Sequence, residues 1–92
     1  MIADKIRQKL EEALSPELTE IIDQSAAHAG HGGNQKGGGH FYVTIVANAF
    51  EGKSMLQRHQ LVYQVLTDLM KEDIHALGIN ALTPSENTTG NQ

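Results

Sequence analysis

Five histidines and no cysteine among 92 residues define the chemistry this chain can offer. His28 and His31 form an HAGH pair inside a glycine-rich stretch. His40 opens one apolar run, His75 is the second residue of another, and His59 lies between them in a long amphipathic segment. Neutral imidazole is a good ligand for zinc, iron or copper, so a set of these side chains brought together would bind a metal. Spacing alone also supports plainer readings. HAGH lacks the helical context that makes a zinc motif specific, and reads first as two solvated histidines on a spacer. His75 reads as a rim histidine bonded to backbone, and His40 as a strand-end residue. Arg58 and His59 read as a solvated helix face. With no cysteine, the chain has neither a disulfide nor a thiolate ligand of its own.

The elements that must position these residues follow from periodicity. Ser54 to Met70 places Leu61, Val62, Val65, Leu66, Leu69 and Met70 on one helical stripe, uninterrupted by proline or glycine. Ser54 with Gln57 three residues on is a capping-box signature. The spacing predicts a single central helix about 25 Å long. Ile2, Ile6, Leu10, Ala13 and Leu14 mark an amphipathic first helix, ended by Ser15-Pro16. Leu18 to Ser25 reads as a short strand, its competitor a helical turn with Pro16 at the first position. His40 to Ala47 alternates cleanly and predicts a strand. Ile74 to Thr83 alternates again, with His75, Leu77, Ile79 and Ala81 on one side. Six of the nine glycines fall between Ala26 and Gly39, which reads as a loop. After Pro84 the chain reads as a tail, so residues 1–86 are expected to form one domain and 87–92 a disordered extension.

A strand–helix–strand crossover makes its two strands parallel, so His40 and His75 should open at the same end of the sheet. If Leu18–Ser25 pairs antiparallel with the His40 strand, the loop bearing His28 and His31 leaves from that end too. His59 should lie at the opposite end. The net charge of -4 gives no general attraction to nucleic acid. The first residues have no long apolar run, so neither a signal peptide nor a membrane span is expected.

FEGKSMLQRHQLVY (Phe50 to Tyr63), IHALGINALTPSE (Ile74 to Glu86) and the preceding HFYVTIVA together closely resemble the BolA family. The resemblance implies an α+β fold similar to the class II KH domain. Its order is α-β-β-α-β, with a three-stranded mixed sheet and the helices on one face. It implies a heterodimer with a monothiol glutaredoxin that shares a two-iron, two-sulphur (2Fe-2S) cluster in iron–sulphur and iron homeostasis, with glutathione completing the ligand set. In the resemblance His75 is one ligand and a loop histidine, His28 or His31, the other. No cofactor is expected in the isolated chain, which is expected to be monomeric. The expected compartment is cytoplasmic or an organellar matrix.

Each iron of such a cluster needs two ligands beyond the sulphides, so a chain with two imidazoles and no thiolate supplies only half a site. Imidazole binds only when neutral, so such a cluster should weaken as pH falls through about 6.5. The family is also described as transcriptional regulators, giving a second class of function: DNA binding through Lys53, Arg58 and His59 near a helix N-terminus. The GxxG loop by which KH domains clamp a nucleic-acid backbone is missing there. A zinc hydrolase built on His28, His31 and His75 is a third class. The sequence offers it no general base, and the chain is read as a non-enzyme.

Overall fold

The computed structural model describes residues 1–25 and 39–90. The first helix, α1, spans Ile2–Leu14 and turns Ile6 and Leu10 fully inward. Burying each such side chain is worth about 1.5–3 kcal/mol. The helix stops where Ser15 takes a left-handed conformation (φ 47°) and returns its N–H to the Glu11 carbonyl, ahead of Pro16.

Strands β1 (Leu18–Asp23), β2 (Gly39–Val46) and β3 (Ile74–Leu82) form one sheet in the order β1-β2-β3. β1 runs antiparallel to β2, and β3 runs parallel to it. Leu18–Asp23 is therefore a strand, not the helical turn. Phe41, Val43 and Ile45 face the helices and make a mostly aliphatic core with Ile6, Leu10, Val62, Leu66, Leu69, Ile74 and Ala81. The opposite face carries Tyr42, beside the exposed Ile22.

Both edge strands have side chains on their free carbonyls. Arg7 Nη1 donates to the Thr19 carbonyl at 2.6 Å, and the Tyr63 hydroxyl donates to the Leu77 carbonyl at 3.1 Å. Such contacts blunt an edge that would otherwise template further pairing.

The crossover differs from the sequence expectation of one helix. It divides into α2 (Met55–Val65) and α3 (Thr67–Glu72), with Leu66 between them at φ -98°, ψ 14°. The Thr67 hydroxyl donates to the carbonyls of Tyr63 (3.1 Å) and Gln64 (2.9 Å), and so competes for the acceptors of a regular helix. The capping box is present: Ser54 Oγ accepts from Gln57 N–H at 3.1 Å, and Gln57 Oε1 accepts from Ser54 N–H at 2.9 Å. Gly52, at φ 76°, makes the turn into α2 from a 3-10 turn over Asn48–Phe50.

Two further differences concern β3. Its alternation is interrupted, because Gly39 pairs with Ile74 while His40 pairs with Ala76. His75 is the extra residue of a bulge, and it is exposed rather than in line with Leu77, Ile79 and Ala81. After β3, where the sequence reads a tail, Pro84–Gly90 forms a short helix, α4. Thr83 and Glu86 cap it reciprocally, at 2.9 Å and 3.3 Å. Pro84 takes the first helical position, where its missing N–H costs nothing.

Candidate metal centre at the sheet rim

One end of the sheet is tied together by hydrogen bonds from all three strands. Gln24 N–H donates to the His40 carbonyl at 2.7 Å, and His40 N–H donates to Ser25 Oγ at 3.0 Å. Gly39 N–H donates to the Asp73 carbonyl at 2.9 Å. Ser25 is itself set by its N–H to Asp23 Oδ1, at 2.9 Å, an Asx-type turn ending β1. The hydroxyl and the amide of Ser25 hold the Asp23 carboxyl below its ordinary range. Residues 24–25 and 39–40 thus clamp the two ends of the connection between β1 and β2.

His40 and His75 meet at this rim. Their ring centroids are 5.1 Å apart and the ring planes are tilted by 41°. His75 is exposed and His40 half-buried, so the pair is open to solvent from one side. The convergence of these two histidines follows the parallel crossover. Their contact depends also on the bulge, which no periodicity signals. His28 and His31 lie outside the described residues. Among the described residues, no group of three or more histidine, cysteine, aspartate or glutamate side chains is arranged to hold a metal.

The other end of the sheet holds Lys53, Arg58 and His59. Lys53 is exposed and His59 half-buried. Arg58 departs from the solvated reading: it is only 7% exposed. Its Nε donates to the Lys53 carbonyl (3.0 Å) and its Nη1 to the Ala81 carbonyl (3.0 Å). Its fork grips Glu86 at 2.7 Å and 3.2 Å. This bidentate pair, with the Thr83 amide, lowers the Glu86 carboxyl to about 2, and Glu86 in turn raises the Arg58 guanidinium. Arg58 therefore joins α2 to the end of β3 and to α4. The sequence carried a signal for half of this, since TPSE is a capping-box pattern. It carried none for the pairing with a residue 28 positions away.

The class defined by these features is a small α+β domain: a three-stranded mixed sheet, helices on one face, and a histidine pair at one rim. The BolA-like protein family matches residues 10–86, and the chain belongs to that family. It is 46% identical over 81 residues to BolA-like protein 1 of Mus musculus, covering 88% of this chain and 57% of that protein. It is 45% identical over 87 residues to SufE-like protein 1, chloroplastic/mitochondrial, of Arabidopsis thaliana, 89% of this chain but only 24% of that protein. The solved BolA domain of SufE1 from the same plant superposes with a TM-score of 0.78 at 47% identity, covering 90% of this chain and 92% of that one. The DNA-binding transcriptional regulator BolA of Escherichia coli is 33% identical over 86 residues, 94% of this chain and 79% of that protein. The chain thus spans about a quarter to somewhat over half the length of the plant and mouse relatives.

Proposed function

We propose that this chain partners a monothiol glutaredoxin and co-ligates a shared two-iron, two-sulphur cluster, with His75 as the fixed ligand and His28 or His31 as the second. The observation that carries the reading is the position of His75: solvent-open, on a bulge, at the end of the sheet where the β1–β2 connection is clamped. Chain length bounds the second ligand. His28 is three residues from Ser25 and so within about 11 Å of it, and His31 within about 21 Å. Both can reach the rim. Each imidazole donates a ring lone pair and must be neutral to do so, and the bulge keeps His75 clear of the core. Two imidazoles fill half the terminal positions of such a cluster, and thiolates from the glutaredoxin and glutathione fill the rest. A cluster so held supplies one-electron redox capacity and transferable iron and sulphide. The cytoplasm or an organellar matrix is the proposed compartment, and the plant relative's printed location, chloroplastic/mitochondrial, favours the second. No helix among the described residues is long and apolar enough to cross a membrane.

Co-expression with a monothiol glutaredoxin tests this. The complex should show visible absorption distinct from that of the glutaredoxin alone, and His75→Ala should abolish the difference. His28→Ala and His31→Ala, made singly, then identify the loop ligand. A mixed-complex spectrum indifferent to His75→Ala would overturn the assignment. A second reading, duplex DNA binding, is favoured by the printed name of the Escherichia coli relative. The structure leaves it Lys53 and His59, while the Arg58 guanidinium is committed to Glu86 and two carbonyls. Titration of duplex DNA at two salt concentrations decides it, because phosphate-driven binding must weaken steeply with salt.

A further inference from the structure

The His40 and His75 ring centroids are 5.1 Å apart, a separation that two imidazoles on one metal ion also take. Two imidazoles bound to one zinc ion at Zn–N distances of about 2.0–2.1 Å and a tetrahedral angle have ring centroids about 5.2 Å apart. We propose that His40 and His75 form a preorganised two-imidazole site for a single divalent ion of the zinc class, formed by the strand framework alone. Its ligands sit on hydrogen-bonded strands. His40 has its amide on Ser25 and its carbonyl on Gln24, and His75 stands on a bulge between paired residues. Little backbone order must therefore be created on binding. Each ring uses one nitrogen for the metal and keeps the other for a hydrogen bond, the usual arrangement of a ligating histidine. Water fills the remaining positions on the exposed side, since no third acid, histidine or cysteine joins the pair among the described residues.

The site shares His75 with the cluster reading but pairs it with His40, a strand residue, and needs no second protein. The same distance is also compatible with a tilted ring contact that binds nothing. The full-length isolated chain, titrated with zinc alone by calorimetry and by imidazole nitrogen NMR shifts, separates the two. One zinc per chain should bind, with both the His40 and the His75 ring nitrogens shifting. His28→Ala/His31→Ala should retain binding within about threefold. His40→Asn, which keeps a polar strand-end side chain, should weaken it by at least about tenfold, the loss that removing even an outer-shell partner causes. Backbone amide spectra confirm that each variant is folded. His75→Gln serves as the second variant if His40→Asn is not. Absence of zinc binding, or binding abolished by the double loop variant but indifferent to His40→Asn and His75→Gln, would overturn the site. Neither result bears on cluster sharing with a glutaredoxin, which is read from the mixed complex.

Discussion

Glu86 shows how a single carboxylate is tuned by its partners rather than by burial. Its side chain is 44% exposed, yet the Arg58 fork and the Thr83 amide bring its pKa from 4.5 to about 2. A carboxyl with a depressed folded-state pKa contributes stability that is fully present above its unfolded value and lost as pH falls through the folded one. The contribution should therefore be complete above pH 4.5 and disappear between there and about pH 2. Thermal melts of the wild type should show a falling midpoint across that window, and Glu86→Gln should flatten it. Part of the slope will persist through Asp23, whose carboxyl is also held low. An acid limb identical in the two proteins would mean that the Arg58–Glu86 pair does not stabilise the fold. Arg58 could not be recognised from its neighbours in sequence. A basic residue in the first turns of a helix is ordinarily solvated, and its burial depends on α4 folding back to meet it.

Among the elements, β2 and β3 decide the geometry of the rim. Gly39 begins β2 where a Cβ would lie 2.4 Å from Cε2 of Phe41, a ring that is itself buried in the core. Nothing larger than hydrogen fits without moving that ring. Gly39→Ala should cost about 1–3 kcal/mol, as overpacking does. Urea denaturation would measure it, and an unchanged midpoint would show that the ring can shift freely. The bulge at His75 is the same kind of feature: invisible to alternation, which puts His75 in line with Leu77 and Ile79, but explicit in the register. The division of α2 from α3 is a milder case. The apolar stripe continues through Leu66, Leu69 and Met70, while the Thr67 hydroxyl takes carbonyls from the turn before it.

For the whole molecule, the central position of β2 ranks the stability of the parts. β2 is paired on both sides and lined by the core, whereas α4 is a seven-residue helix capped by Thr83 and held through Glu86. Amide hydrogen exchange should find Val43 and Ile45 opening only with global unfolding, and Asn87 opening locally and much earlier. Equal protection at the three would refute this hierarchy. The sequence by itself determined the order of the first helix, the three strands and the helical crossover, the aliphatic core, the capping box at Ser54 and the arrival of His40 and His75 at one end of the sheet. Those depend on periodicity, local hydrogen bonding and crossover handedness, which are properties of short segments and of chain order. Only the tertiary structure decided that the two rings stand 5.1 Å apart and that Arg58 is buried against Glu86. Each of these depends on a register or a contact between residues distant in the chain, and no local pattern encodes where such partners meet.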